Sequence, residues 1–364
     1  MAIPERAPSH NIMEAASCYD YTKREYKHPV RILSLDGGGI RGLIGLKVLE
    51  EVEKRTREAT CNLFDLIAGA STGSITALAL SAPKEVGSTE PRFSAQNITQ
   101  LYMEKAKEIF PPVPWWKKPF KVVEDLAEPK YGLGLEKVMD EYCGNTLFRD
   151  ALTEVMVPSF EITESEPWFF QRTVARIDPQ FDSLTMKEVV LAATAAPTYF
   201  RPRQIWKYAF IDGGVCDNTP STTIYSLAKQ MFHQPDDKHL MLSLGTGSCK
   251  EVIPYTSDEG FGEIDWAPKV LGLLLQGPGQ VAEKQTDFLF SATDTKKKRL
   301  RLQPTLLAEH DKLDDASEEN LEFLAETGRK LVEDNDEQLR DFCNQLVVGE
   351  SSSVGNTRWS RWFS

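Results

Sequence analysis

The sequence predicts an α/β fold in which helices cover a parallel-type β-sheet. Two segments lead to this prediction. A β-prone run at 30–35 ends in Asp36 and three glycines, and an amphipathic helical pattern follows from Leu43 to Val52. A second apolar run at 63–68 passes through another glycine turn into an Ala- and Leu-rich segment at 74–80. Strand, turn and helix therefore recur in the same order, as is typical of parallel sheets.

The remaining elements follow from the same periodicities. Thr185 and Glu188 form a capping box, which predicts a helix that starts there and ends near Pro197. Helical spacing predicts further helices at 95–109, 134–143 and 317–347. Short apolar runs before glycine turns predict further strands at 208–211 and 240–244. Because no repeat or linker divides the chain, we expect one domain at 29–348 between a polar leader at 1–28 and a loose tail at 349–364.

The composition of the 364 residues excludes several classes of protein. With 41% hydrophobic and 26% charged residues, the chain is typical of globular proteins. Its 42 Lys and Arg against 54 Asp and Glu give a net charge of −12, which argues against nucleic acid as a partner. We find no apolar run long enough to span a membrane, no secretory signal and no paired cysteines, so we expect a cytoplasmic protein with reduced thiols.

The first candidate motif is Gly69-Ala70-Ser71-Thr72-Gly73, a G-x-S-x-G pattern between a predicted strand and a predicted helix. Its glycines allow a sharp turn that exposes the serine hydroxyl at the edge of the sheet. The helix that follows directs its positive N-terminal end toward developing negative charge. A serine in a glycine turn can equally cap a helix, so the motif predicts a nucleophile only together with others.

The second motif is Asp36-Gly37-Gly38-Gly39-Ile40-Arg41-Gly42, which formally matches the dinucleotide fingerprint. The acidic residue that this fingerprint requires at the end of the second strand is missing, because that strand ends in Ala68-Gly69, and no Walker lysine follows. Backbone amides without side chains at a helix N-terminus suit an oxyanion equally well. Beside an exposed serine, we interpret the loop as an oxyanion hole.

The third motif is Asp212-Gly213-Gly214, which follows the predicted strand at 208–211 and precedes Asn218. A carboxylate at the C-terminus of a strand in an open α/β sheet lies at the edge where ligands bind. An aspartate in a turn before two glycines is the simpler interpretation of these residues taken alone.

Together, these motifs resemble the patatin-like phospholipase family over about residues 30–335. The resemblance is carried by DGGGIRG at 36–42, GASTG at 69–73, AAPTYF at 195–200, DGG at 212–214 with Asn218 and Pro220, and LDDASEENLEFL at 313–324. It implies a three-layer α/β/α sandwich with a central, mostly parallel sheet, in which 29–348 is the catalytic domain. Ser74 departs from the pattern, since many relatives have a second glycine there.

The resemblance also implies the roles of individual residues. Ser71 would be the nucleophile and Asp212 the general base of a Ser-Asp dyad. The oxyanion hole would be formed by Gly37, Gly38, Gly39 and Arg41. The nucleophile elbow would contain Gly69 and Gly73, and the base motif would contain Gly213 and Gly214. A free aspartate titrates near 3.9, so we expect burial and a hydrogen bond to Ser71 to make Asp212 a stronger base.

The predicted function is metal-independent and cofactor-free hydrolysis of fatty-acyl esters of glycerophospholipids or related glycerolipids through an acyl-enzyme. One alternative is an esterase of the α/β-hydrolase type, with Ser71, Asp212 and either His239 or His310 as its triad. Another is a storage or lipid-binding protein with little turnover.

A proline-rich segment at 110–121 predicts an exposed or lid-like loop. It contains Trp115, Trp116, Lys117 and Lys118, which combine rings that favour the membrane interface with cations that anionic headgroups attract. We therefore expect peripheral membrane contact through this loop.

Overall fold

The computed structural model describes residues 28–112, 129–249, 263–292 and 298–347. Of the predicted leader it includes His28 alone, and the predicted tail at 349–364 lies outside the described residues. No helix in the described ranges combines the length and apolar character needed to cross a membrane.

In the part of the chain that the structure describes, eight strands are surrounded by helices. Strands β1 to β8 span Val30–Leu35, Leu66–Gly69, Glu154–Glu161, Glu166–Gln171, Arg203–Ile205, Tyr208–Asp212, His239–Leu244 and Arg299–Leu302. Helices α1 to α12 span Leu43–Thr56, Thr60–Leu63, Thr72–Ser81, Ala95–Ile109, Gly134–Tyr142, Arg172–Ile177, Met186–Ala193, Gly214–Asp217, Ser221–Phe232, Glu263–Ala292, Glu318–Asp334 and Asp336–Val347.

The strands form one sheet in the order β5-β6-β3-β2-β1-β7-β8, and β4 pairs with β3 outside this path. Neighbours within β3-β2-β1-β7-β8 are all parallel, whereas β4, β5 and β6 pair antiparallel. The expected mostly parallel sheet is thus confirmed. Because parallel strands end at the same edge, the loops after β1, β2 and β7 meet there.

Strand β3 aligns two other strands along one of its edges. Ala68 of β2 is paired with Met156, and Asp212 of β6 is paired with Ser159. Since β4 covers the opposite edge of β3 at both positions, β2 and β6 share the remaining edge. They run in opposite directions there, so their carboxyl ends point toward each other.

Alternating side chains of the sheet enter two separate hydrophobic cores, as the period of a strand requires. In β1, Leu33 packs in the larger core with helices such as α1, α3, α4 and α7, whereas Ile32 packs in the smaller core with α9 and Phe290 of α10. Helices therefore cover both faces of the sheet, and the three-layer α/β/α architecture is confirmed.

Most predicted elements are present, with shifts that have local causes. The strand expected at 63–68 starts at Leu66, because the preceding residues form the short helix α2. The capping box of Thr185 and Glu188 is formed, and α7 ends at Ala193. The helical pattern at 317–347 is two helices, which meet at Asn335.

Candidate active site

Ser71 lies in a sharp turn between β2 and α3. Its backbone has φ 49° and ψ −120°, a conformation that costs a non-glycine residue about 1–3 kcal/mol. Only two residues separate the strand from the helix, and Ser71 is partly exposed. The turn therefore presents the hydroxyl at the carboxyl edge of the sheet.

The glycines on either side of Ser71 allow this turn to pack. A Cβ atom on Gly69 would lie 2.1 Å from the carbonyl oxygen of Gly73, and one on Gly73 would lie 2.5 Å from the carbonyl oxygen of Leu35. Both distances are far below a normal contact with rigid backbone. Ser74, where the family pattern has another glycine, donates its hydroxyl to the carbonyl oxygen of Ser71 at 2.6 Å, so its polar group is satisfied.

Asp212 ends β6 directly opposite this turn. The Ser71 hydroxyl donates to its Oδ2 at 2.6 Å, and the Gly214 amide donates to its Oδ1 at 2.7 Å. Gly213 packs against β3, where an added Cβ would lie 2.2 Å from the carbonyl oxygen of Pro158. The two residues predicted as the dyad are therefore in direct contact, although 141 positions separate them.

Burial changes the proton affinity of this carboxyl group. Asp212 is 2% exposed, and loss of hydration raises its pKa to about 6, although the hydrogen bonds from Ser71 and Gly214 oppose the increase. Such an aspartate remains ionised at neutral pH and binds a proton more readily than one in water. A raised pKa makes the carboxylate a more effective general base.

The glycine loop after β1 lies beside the dyad. The Gly37 amide donates to the Asn218 carbonyl oxygen at 3.0 Å, and the Thr246 hydroxyl donates to the Gly37 carbonyl oxygen at 2.8 Å. Within the described ranges, no hydrogen bond uses the amides of Gly38 or Gly39. These two donors are therefore available to a ligand.

Arg41, also predicted in the oxyanion hole, directs its guanidinium to Asp311. It forms an ion pair with the Asp311 carboxylate and donates to the Asp311 carbonyl oxygen at 3.1 Å. Burial lowers the pKa of Arg41 from its ordinary value, and the charge of Asp311 acts in the opposite direction. The arginine thus joins the glycine loop to the segment before α11.

A cavity of about 280 Å³ connects the predicted site residues. Ser71, Asp212, Gly37, Gly38, Gly39 and Arg41 all line it. Its other walls are largely apolar and are formed mainly by α4 and its neighbours: Ile75, Leu101, Tyr102, Ala106, Ile109, Phe110, Leu135, Tyr199 and Phe200. The serine therefore lies between a polar loop and an apolar chamber. α10 adds Gly272 and Gln276 to the wall.

Sequence reasoning missed the residues that hold the glycine loop from behind. Asp36 is buried, receives two hydrogen bonds from Arg301 of β8, and accepts a third from Thr219. Arg301 lies 265 positions away in the chain, so no local pattern could have found it.

The histidines lie elsewhere. His239 begins β7 at the amino-terminal edge of the sheet, opposite to the edge that carries Ser71, and its Nδ1 lies 3.0 Å from the Pro235 carbonyl oxygen. His310 is stacked on Phe323 at 3.6 Å and is hydrogen-bonded to Asn320. Neither histidine lines the cavity.

Two predictions concern other kinds of site. In the described ranges, no group of three or more His, Cys, Asp or Glu side chains is placed to hold a metal ion. Trp115, Trp116, Lys117 and Lys118, the predicted membrane contact, lie outside the described residues.

Comparison with known proteins finds similar sequences and structures. A sequence profile described as Patatin-like phospholipase matches residues 33–223. Patatin-like protein 4 of Arabidopsis thaliana is 30% identical over 346 residues, which cover 85% of each chain. Patatin-like protein 2 of the same plant is 32% identical over 347 residues, 84% of each chain. The crystal structure of VipD from Legionella pneumophila aligns with a TM-score of 0.40 and 13% identity over 90% of this chain and 73% of that chain.

The sequence matches place the chain in the class of lipid acyl hydrolases. Within this class, the chain belongs to the patatin-like phospholipase family, because the profile covers more than half of it and relatives at 30% identity or above span most of its length.

Proposed function

We propose that the protein cleaves fatty-acyl esters of glycerophospholipids or related glycerolipids, with Ser71 as nucleophile and Asp212 as general base. The observation that carries this proposal is the 2.6 Å hydrogen bond from the Ser71 hydroxyl to the buried Asp212 carboxylate. It places a partly exposed nucleophile within hydrogen-bonding distance of a base with raised proton affinity.

The first half-reaction forms an acyl-enzyme. The Ser71 Oγ attacks the acyl carbonyl carbon while its proton passes to the Asp212 Oδ2. The amides of Gly38 and Gly39 stabilise the negative charge on the carbonyl oxygen of the tetrahedral intermediate. When this intermediate collapses, the bond to the alcohol oxygen breaks, and the departing alcohol takes the proton from Asp212.

The second half-reaction returns the enzyme to its starting state. A water molecule attacks the acyl-serine and gives a proton to Asp212, and the same amides hold the second oxyanion. Collapse releases the fatty acid, and the proton returns to the Ser71 Oγ. One carboxylate thus alternates between base and acid.

The cavity walls support a long acyl chain as the bound group. Leu101, Ala106 and Ile109 of α4 present one face of a helix to the chamber, and Leu135 and Phe200 add to it. Each methylene that leaves water contributes about 0.8 kcal/mol to binding. We therefore expect the fatty acyl part to occupy this chamber and the glycerol part to lie toward the polar loop.

Direct contact between Ser71 and Asp212 favours a dyad over the alternative triad. In a Ser-His-Asp site the imidazole lies between the serine and the carboxylate. Here the carboxylate accepts the hydrogen bond from the serine hydroxyl directly, and His239 and His310 have partners outside the cavity.

Product analysis on a panel of phospholipid, galactolipid and triglyceride tests the proposal. Ser71→Ala and Asp212→Asn should each lower fatty-acid release by at least about 10⁴-fold, as removal of a nucleophile or its base does in other serine enzymes. Asp217→Asn is the matched control, because Asp217 lies on the next turn and its pKa is also raised to about 6, yet it does not line this cavity. Release by Ser71→Ala at the wild-type rate would refute the proposal.

A further inference from the structure

Asp36 and Arg301 form a buried ion pair directly behind the glycine loop. The Arg301 Nη1 lies 3.0 Å from Asp36 Oδ1, and its Nη2 lies 2.6 Å from Asp36 Oδ2. This two-pronged geometry fixes the orientation of the carboxylate as well as its position. Thr219 donates a further hydrogen bond to Oδ2 at 3.0 Å.

Arg301 is itself held by two neighbouring elements. Its Nη1 also donates to the Ser243 hydroxyl of β7 at 2.9 Å, and its Nε lies 3.3 Å from a Glu283 carboxylate oxygen of α10. The side chain therefore has partners on three sides, and its position is determined by the sheet and by α10. A lysine could not make these contacts together, because it lacks the planar fork.

Hydrogen bonds fix the loop beyond Asp36 on both sides of the Gly38 and Gly39 amides, which have no partner among the described residues. The Asp36 amide donates to the Leu244 carbonyl oxygen at 3.0 Å, and the Gly37 amide donates to that of Asn218 at 3.0 Å. After the loop, the Ile40 amide donates to the Leu313 carbonyl oxygen at 2.9 Å. Gly38 and Gly39 lie between these anchors. Their orientation therefore depends on where Asp36 holds the start of the loop.

We propose that Asp36 and Arg301 are positioning residues that set the direction of the Gly38 and Gly39 amides toward the oxyanion. This inference rests on the proposed function. Neither Asp36 nor Arg301 lines the cavity, so both would act through the backbone of the loop. Loss of the pair should therefore weaken binding of the transition state and leave binding of the ground state almost unchanged.

The test compares Arg301→Met, Arg301→Lys and Asp36→Asn with wild type, using a soluble nitrophenyl ester. We expect kcat to fall about 10- to 100-fold in Arg301→Met and Asp36→Asn, with KM within about twofold, because a misplaced oxyanion donor costs less than its complete removal. Arg301→Lys should be intermediate. Affinity for a trifluoromethyl ketone that forms a tetrahedral adduct should fall in parallel with kcat, whereas the Kd of a free fatty acid should not change.

Arg299→Met is the matched control. Arg299 lies two residues away on the same strand and forms ion pairs with Glu283 and Asp287, but it does not contact Asp36. The Arg299→Met variant should have a lower free energy of unfolding than wild type and the same kcat. If Arg301→Met does not fold, Asp36→Asn and Arg301→Lys decide the question.

Two results would overturn the inference: folded Arg301 and Asp36 variants with kcat within twofold of wild type, or an equal fall in kcat in Arg299→Met. Failure of the proposed function is distinguishable, since Ser71→Ala would then remain active. If Ser71→Ala is inactive and the Arg301 and Asp36 variants are fully active, only the positioning role is wrong.

Discussion

We expect Asp212→Asn to raise the free energy of unfolding at pH 7.5 while it removes hydrolysis. The pKa of Asp212 is raised from 3.8 to about 6 in the folded protein. The folded state therefore binds this proton more tightly than the unfolded state does. Above pH 6 the ionised carboxylate costs the folded state about 3 kcal/mol, because each tenfold change in proton affinity corresponds to about 1.4 kcal/mol. The cost decreases as the pH falls from 6 toward 3.8, and it disappears well below pH 3.8, where the group is protonated in both states.

Asparagine is neutral at every pH and keeps an oxygen that can accept from Ser71 or Gly214. Its stabilising effect should therefore be largest at pH 7.5, up to about 3 kcal/mol, and should decrease toward zero as the pH falls to 4 and below. The measurement is urea unfolding of wild type and variant at several pH values between 4 and 8. The difference between the two proteins cancels the contribution of other buried carboxylates.

Asp217→Asn gives an internal comparison. Burial also raises the pKa of Asp217 to about 6, so this variant should be stabilised with the same sign and pH dependence. Only Asp212→Asn should lose hydrolysis. A stability difference between wild type and Asp212→Asn that is the same at pH 4 and pH 7.5 would refute the raised pKa, and the argument for Asp212 as a base would lose its support.

Three further predictions concern the same site. Ser71→Gly should be inactive and about 1 kcal/mol more stable to urea than Ser71→Ala, because both variants lack the hydroxyl that bonds Asp212 and only glycine adopts φ 49° without strain; equal or lower stability than Ser71→Ala would contradict this. Gly38→Ala should lower kcat at least about 100-fold, since its Cβ would lie 2.2 Å from the Thr246 hydroxyl, whereas Gly45→Ala, with its nearest contact at 3.5 Å, should keep wild-type activity. The value of kcat/KM should fall tenfold per pH unit below about pH 6, because Asp212 becomes protonated. A fall that begins only near pH 4 would argue against Asp212 as the general base.

Strands β1, β2, β6 and β7 and the two glycine motifs could be predicted because their signals are local. Four of the six residues of Val30–Leu35 are apolar, and three glycines follow Asp36 in the turn after it. Strand β3 was missed since it contains Pro158, which lacks an amide donor, and the buried acids Glu154 and Glu161. Helix α10 was missed because Gly277-Pro278-Gly279 interrupts its helical pattern.

Residues of the candidate site could be predicted only where a local motif identifies the residue by itself. Ser71 and Asp212 each stand beside glycines at the end of a strand. Asp36 was recognised only as part of the motif, and its partner Arg301 belongs to an ordinary strand at the far end of the chain. Long-range pairs of this kind have no signature in a single sequence, because the fold alone brings the two charges together.

The shared edge of β3 has a consequence for how the chain can change. Ser159 follows Met156 by three residue steps, about 10 Å of extended backbone, and this interval determines the gap between the ends of β2 and β6. One residue inserted there would displace Asp212 by about 3.3 Å and break its contact with Ser71. The spacing within β3 therefore tolerates insertion or deletion as poorly as the dyad tolerates substitution. This holds although the side chains of β3 take no part in the reaction.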